Sequence, residues 1–170
     1  MRSYSSGLTL IELLMVTAIS AILMGIAAPG LRDWISRRAA AAAAEALNAD
    51  FRLARSEAVK RGDFVTICRS TDGSTCAGAG DWKTGWLVFV NRAAAANSTT
   101  NAIVLRVQEP LPSVTSMAPQ QFGPVTFTSN GSAPGAAGSL VVASTAQGGA
   151  VALCLSMAGR LQARPGQASC

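Results

Sequence analysis

One segment constrains this chain more than any other: 21 mostly apolar residues run from Leu8 to Ala28 with Glu12 as the only charge. As an α-helix rising about 1.5 Å per residue, the segment is long enough to cross the roughly 30 Å hydrocarbon core of a bilayer. A carboxylate inside such a segment is costly to bury, so it indicates a function beyond anchoring. The sequence therefore predicts a membrane-spanning helix with a functional acid near its start.

Three interpretations of this segment compete. A secretory signal would be cleaved at a small-x-small site that follows the apolar run, and residues 18–21 and 26–28 offer something similar to such a site. A plain membrane anchor accounts for the length but not for Glu12. The third interpretation rests on the residues around the start of the run, SGLTLIELL from Ser6 to Leu14, which place Gly7 before the run and the acid five residues later.

This nine-residue stretch closely resembles the class III signal of type IV pilins and pseudopilins. The resemblance implies that a prepilin peptidase cuts after Gly7 and that the new N-terminal residue, Leu8, is N-methylated. It also implies that Glu12 pairs with the terminal amine of a neighbouring subunit during assembly. The family more often has Phe where this chain has Leu8. The implied location is the bacterial inner membrane, with the head in the periplasm, followed by export into a filament through an inner-membrane assembly platform.

Beyond the apolar segment, the sequence predicts that the helix continues. Pro29 removes one helix hydrogen bond, to the Gly25 carbonyl, which predicts a kink or local melting at that point. Good helix formers then run to Arg61, and Gly62 is a suitable stop. We therefore predict one long kinked helix from about Thr9 to Arg61, whose second half packs on a head domain. Apolar residues recur in that half at three- and four-residue steps, at Leu31, Ile35, Ala39, Ala42, Ala46, Phe51/Leu53 and Ala58.

The remaining residues, 62–170, read as one β-rich domain. Strand-forming runs alternate with turn signals, and no helical periodicity appears after Arg61. The chain is thus expected to be α+β, a long N-terminal helix packed on an antiparallel β-sheet head. Its parts would be a leader at 1–7, a transmembrane or filament-core helix at 8–28, a helix continuation at 29–61 and the head at 62–170. The expected strands lie at 64–68, 85–90, 103–107, 125–128, 139–143, 150–155 and 160–163.

Four segments of the chain are similar, in order, to the H-type minor pseudopilin family (GspH/FimT). They are 53–61, 81–91, 127–131 and the pair Gly159-Arg160. The resemblance implies the pilin fold and a role as a minor pilin or pseudopilin. Such a subunit works in assembly, at or near the tip of a type IV pilus or of a type II secretion pseudopilus, and its partners are other pilin subunits. The sequence does not distinguish the two filaments.

Four cysteines allow three disulfide pairings. The local pairing, Cys68 with Cys76 and Cys154 with Cys170, closes two short loops, each stabilising by roughly 2.5–3 kcal/mol. A periplasmic head would keep such bonds oxidised. The alternatives are a zinc site, for which the C-x₂₋₄-C spacing is absent, and a redox pair, for which C-x-x-C is absent.

The chain contains no histidine, which excludes Ser-His-Asp and Cys-His catalysis and histidine-ligated metals. The acids are scattered. We therefore expect no enzyme, no cofactor and no metal, with an anchored envelope enzyme as the remote alternative.

The net charge of +5 raises nucleic-acid binding as an alternative function. Some pilus members of the resembling family are DNA receptors in natural transformation, and they use a C-terminal Gly-Arg-x-Arg motif. This chain has Gly159-Arg160, but its second basic residue, Arg164, is displaced by two positions. If 160–164 formed a strand, Arg160, Gln162 and Arg164 would share one face and suit phosphate contacts. The competing interpretation is a solvated basic surface.

Overall fold

The computed structural model describes residues 9–92, 99, 102–120, 123–145 and 149–170. The predicted cleavage residues Gly7 and Leu8 lie outside this part of the chain. Within the described part of the chain, one helix, α1, is followed by eight strands, and a 3-10 turn at Trp82–Thr84 lies between the first two strands. The bounds are α1 Leu10–Arg61, β1 Val65–Arg69, β2 Trp86–Val90, β3 Ile103–Gln108, β4 Ser116–Gln120, β5 Val125–Phe127, β6 Gly138–Ala143, β7 Val151–Leu155 and β8 Leu161–Pro165.

Helix α1 has a defined cap at each end. At its start, the side-chain oxygen of Thr9 accepts a hydrogen bond from the Glu12 backbone N–H at 3.3 Å. At its end, Gly62 adopts φ 65° and donates its N–H to the Ala58 carbonyl, a left-handed cap that suits glycine. The helix is continuous through Pro29, so the predicted local melting is absent, and a kink at Pro29 stays a prediction.

The second half of α1 packs on the head through a narrow stripe of mostly small side chains. The stripe follows helical spacing but is rotated from the predicted face, because Leu31, Ile35 and Ala42 are exposed. In an alanine-rich helix every face looks alike, so apolar spacing alone cannot fix the rotation. The buried residues are Ala40, Ala43, Ala44, Leu47, Asp50, Phe51, Ala54 and Ala58.

The head contains two four-stranded antiparallel sheets where the sequence indicated one. Their orders are β3-β2-β1-β5 and β4-β6-β7-β8. The α+β class and the antiparallel pairing are confirmed, and seven strands lie where they were expected. The eighth, β4, was missed because it contains Pro119, which argues against a strand. Its place at the edge of the second sheet lets proline occur there.

A single hydrophobic core joins the helix to both sheets. The inward side chains of β1, β2 and β5 and those of β4, β6 and β7 meet the alanine stripe, and Phe51 of α1 contacts Phe127 edge to face at 6.0 Å between ring centroids. A smaller cluster of Cys68, Leu87 and Phe89 is packed with Cys76 and Ala102 as partly buried neighbours. Trp82 and Trp86 are both buried in the head.

A buried carboxylate braces α1 against the first sheet. Asp50 is 4 % exposed, accepts a hydrogen bond from the Trp86 indole N–H at 2.8 Å and lies 3.1 Å from the Arg106 Nε. A buried charge is tolerated only when paired and hydrogen-bonded, and here β2 and β3 supply the two partners. The brace therefore links the helix to two neighbouring strands.

Both local disulfides are formed. Cys68–Cys76 closes a separation of 8 residues after β1, and Cys154–Cys170 closes one of 16 and fixes the C-terminus to β7. No free cysteine remains. The disulfides in the structure are therefore the local pairs that the sequence analysis describes.

Replacing Asp50, the carboxylate of the brace, should destabilise the head. We expect Asp50→Ala to lower the free energy of unfolding by about 3 kcal/mol, because it leaves the Trp86 indole and Arg106 without their acceptor. Asp50→Asn keeps an acceptor for the indole and should cost about half as much. The measurement is denaturant unfolding of the full chain in detergent. Glu45→Ala, at an exposed position of α1, is the matched control and should stay within about 0.5 kcal/mol; an equal loss in both would contradict the brace.

The disulfides give a second test. Non-reducing peptide mapping should recover the Cys68–Cys76 and Cys154–Cys170 peptides, and a Cys76–Cys154 peptide would contradict the structure. Replacing Cys154 and Cys170 together by serine should cost about 3 kcal/mol of stability, and replacing Cys68 and Cys76 about 2.5 kcal/mol, because the first pair closes the longer loop. Denaturant unfolding of the two double variants measures their free energies of unfolding and shows which variant loses more stability.

Candidate assembly surface

The first half of α1 has no packing partner among the residues that the structure describes. From Leu10 to Ile35 no residue is buried, and the large apolar side chains are mostly more than half exposed, for example Leu13 at 58 % and Ile22 at 65 %. The helix is long and apolar enough over one stretch to cross a membrane, and that stretch is unburied. We call residues Leu10–Ile35 the exposed half of α1. Exposed apolar surface of this size requires lipid or other subunits around it.

Glu12 lies in the first turn of the exposed half. Its backbone N–H is used by the Thr9 cap, and among the described residues no cation forms an ion pair with its carboxylate. An acid in the first turn is favoured by the helix dipole. Glu12 thus presents a negative charge at one end of an apolar rod, where a positive charge from another molecule can meet it.

The head is attached to α1 directly beyond the exposed half. The Ser36 hydroxyl lies 2.7 Å from both the Ser144 and the Thr145 hydroxyls, and it accepts the Thr145 backbone N–H at 3.1 Å. Farther along, Arg55 reaches the Gly159 carbonyl at 3.5 Å. The head therefore contacts the helix from Ser36 to the helix end, which separates a packed half from an exposed half.

The two arginines predicted for DNA binding differ in their surroundings. Strand β8 begins at Leu161, one residue later than predicted, so Gln162 and Arg164 are strand residues whereas Arg160 closes the loop after β7. Arg160 and Gln162 line one shallow cleft that Arg164 does not line. Arg164 instead donates to the Cys170 carbonyl at 3.4 Å. Strand β8 therefore contains two of the three predicted residues, Gln162 and Arg164, and Arg160 directly precedes it.

Two carboxyl groups have lowered pKa values, and both have a structural cause. The Thr75 hydroxyl and the Thr75 and Ser74 backbone N–H groups donate to Asp72, and these hydrogen bonds hold its pKa far below the usual value. For Glu57, the Arg61 and then the Lys60 side chains lower the pKa. The Asp72 bonds order the turn inside the Cys68–Cys76 loop, and the Glu57 pairs lie at the end of α1. Both are structural roles.

The acids that organise the head were missed by the sequence reasoning. Asp50 falls on the helical spacing of the buried stripe, between Leu47 and Ala54, and that position was its available signal. Asp81 accepts from the backbone N–H groups of Lys83 and Met117, both at 2.8 Å, and so joins the 3-10 turn to β4. Within the described ranges, no group of His, Cys, Asp and Glu side chains could hold a metal ion.

Comparison with known proteins places this geometry in a family. The family described as Type II transport protein GspH matches residues 43–159, more than half of the chain, and the Prokaryotic N-terminal methylation motif matches residues 2–28. No curated protein matches significantly.

Two crystal structures of the type IV minor pilin FimU of Pseudomonas aeruginosa strain PAO1 are similar to this chain. Both are 27 % identical to it and are covered over 98 % of their length. One covers 76 % of this chain with a TM-score of 0.58, and the other covers 81 % with a TM-score of 0.62.

These likenesses confirm the pilin fold and the function of minor pilin or pseudopilin, and they give no support to the DNA-binding alternative. The family consists of structural subunits that assemble with other pilins. The family match over residues 43–159, more than half of the chain, shows that the chain belongs to the GspH family of minor pilins and pseudopilins, and the N-terminal methylation motif and the exposed apolar half of α1 agree with it.

Proposed function

We propose that this chain is a minor subunit at or near the tip of a type IV pilus, made as a precursor in the inner membrane. The observation that carries the proposal is the division of α1 into a packed half and an exposed apolar half with Glu12 at its start. Likeness to a type IV minor pilin over most of the chain favours the pilus over the secretion pseudopilus. The pseudopilus remains the alternative, supported by the family description.

Maturation exposes the start of the apolar segment. A prepilin peptidase would cut between Gly7 and Leu8 and leave Leu8 as a methylated N-terminal residue. The methylation motif over residues 2–28 supports this step. Removal of residues 1–7 takes away Arg2, the leader's only charged side chain, so that the new terminal amine becomes the nearest positive charge to Glu12 in sequence.

Assembly would pair Glu12 with the terminal amine of a neighbouring subunit. In the membrane, an unpaired carboxylate in an apolar environment is unfavourable, and opposite charges in a low dielectric attract strongly. Moving from lipid into the filament therefore favours the one register in which both charges are satisfied. The apolar side chains around Glu12 would contact other helices, while Glu12 fixes their relative position.

The proposed location is consistent with the head. Anchored by residues 8–28, the subunit would hold residues 62–170 in the periplasm, where its two disulfides persist. An inner-membrane assembly platform would then move it into the filament. Partner subunits and the platform would both contact surfaces that are exposed in the isolated chain.

Cleavage can be tested directly. In cells with an active prepilin peptidase, mass spectrometry of the purified protein should show a chain that begins at methylated Leu8. Gly7→Leu should block the cut by filling the space at the cleavage site, and the protein should keep residues 1–7. The matched control Gly25→Leu changes a glycine within the apolar segment and should leave the cut unaffected. Recovery of an intact Met1 terminus from the unaltered chain would contradict this step.

Assembly can be tested at Glu12. Glu12→Ala should reduce incorporation into filaments by a hundredfold or more, because an amine left unpaired in an apolar interior costs about 3–5 kcal/mol. The measurement is immunodetection of the subunit in sheared filaments against the membrane fraction. Asp33→Ala, another exposed carboxylate of α1 but outside the apolar segment, is the control. The head of the Glu12 variant should fold normally, because Glu12 lies outside the packed half of α1. Normal incorporation of this variant into filaments would overturn the pairing role.

A further inference from the structure

A notch lies between α1 and the loops of the head that are nearest to the exposed half of α1. Its volume is about 580 Å³, and it is open to solvent. One wall is a single helix face, and the opposite wall is the segment before β4, with Lys83 and Thr145 beside it. The lining residues are Arg32, Ile35, Ser36, Ala39, Lys83, Pro112, Ser113, Val114, Thr115 and Thr145.

The charge of the notch is positive. Arg32 and Lys83 line it, no carboxylate of the described residues does, and Ser113, Thr115 and the Ser36–Thr145 pair supply hydroxyl groups. Lys83 donates one hydrogen bond to the Thr115 carbonyl at 3.0 Å, which fixes its ammonium group and leaves two N–H donors. Arg32 has no ion pair with any described acid. Two cations with nearby hydroxyls are the groups that bind a phosphate diester.

The position of the notch along α1 sets what can reach it. Arg32 follows Ala28 by four residues, about 6 Å along a helix. The polar layer on each side of a bilayer is roughly 5–7 Å thick. With residues 8–28 in the hydrocarbon core, the lower rim of the notch lies in the headgroup layer, and the rest rises from it toward the head.

Other exposed residues at this level also fit a membrane surface. Trp34 is 56 % exposed, and the Arg38 guanidinium lies 5.4 Å from the centre of its ring. On a helical wheel, Trp34 and Arg38 fall on the side of α1 away from the notch. Tryptophan and arginine are favoured where helices leave the hydrocarbon core. Both sides of α1 therefore carry interfacial residues, with the backbone of Trp34 about 3 Å and that of Arg38 about 9 Å farther from the apolar segment than that of Arg32.

We propose that the notch binds the headgroup of an anionic phospholipid while the subunit is anchored in the membrane. The phosphate would lie between Arg32 and Lys83, and Ile35 and Pro112 would contact the adjoining glycerol. Because α1 alone could rotate freely about the membrane normal, a lipid held against both helix and head gives the subunit a second attachment point. The proposal rests on the membrane-anchored stage of the proposed function.

The test counts bound lipids. Full-length protein in mixed micelles is titrated with phosphatidylglycerol or with phosphatidylcholine, and native mass spectrometry measures the lipids retained. We expect one phosphatidylglycerol to be preferred, and Arg32→Gln with Lys83→Gln to reduce that preference at least fivefold, since each cation near an anionic headgroup contributes roughly that factor. Arg32→Gln alone, at an exposed helix position, gives a milder variant that preserves the head. Arg52→Gln with Lys60→Gln removes the same charge at exposed positions near the far end of α1 and should change nothing.

Several outcomes would overturn the proposal. An equal loss in both double variants would show unspecific attraction to charge. Displacement of the lipid by millimolar inorganic phosphate would show a soluble-anion site. Unchanged lipid retention with lost binding to other pilin subunits would show a protein interface.

Depth is checked separately in vesicles that contain brominated lipids. The fluorescence of Trp34 should be quenched in these vesicles. The quenched signal can be assigned to Trp34 because the other two tryptophans, Trp82 and Trp86, are buried. Unquenched Trp34 fluorescence would contradict the proposed depth. The proposed function would fail if the chain were not cut after Gly7, or if its incorporation into filaments did not depend on Glu12. Neither result would alter the lipid measurements, so the two proposals can be told apart.

Discussion

The rest of the structure depends on the close packing of the alanine-rich second half of α1 against two sheets. Side chains as small as Ala40, Ala43 and Ala44 let strand side chains approach the helix backbone closely, and Leu47 and Phe51 then fill the space between the sheets. Without this contact the two four-stranded sheets would have no common core. Because the packing stops near Ser36, it also leaves the first half of α1 uncovered, and that half is the part that functions in membrane and filament.

Polar interactions fix what the apolar core alone would leave adjustable. A small-residue stripe can slide or rotate with little loss of contact area, whereas the hydrogen bond from Trp86 to Asp50 and the Arg106 ion pair are satisfied in one register only. The Ser36–Thr145 contact at the other end of the packed half restricts rotation further. The disulfides then fix a surface loop and the C-terminus.

The same helix serves different surroundings at different stages. In the proposed membrane-anchored stage the exposed half of α1 contacts lipid, and Arg32 lies at the headgroup layer. In the proposed filament the same apolar side chains contact neighbouring helices, and the pairing of Glu12 with a terminal amine selects one register. The core of the head stays the same in both proposed stages, because only the exposed half of α1 changes its neighbours, from lipid to other helices.

The sequence by itself determined the apolar segment, the acid within it, the extent of the long helix, the α+β class, seven of eight strands and the local cysteine pairing. Each is encoded by neighbouring residues, through hydropathy, capping, strand propensity and loop length. Tertiary structure decided which face of α1 is buried, since a run of alanines carries no directional information. It also decided the split into two sheets, the strand at Pro119 and the partners of Asp50. Arg32 and Lys83, far apart in sequence, meet in one notch only because the head folds back onto the helix. These features depend on contacts between distant segments, which no local pattern records.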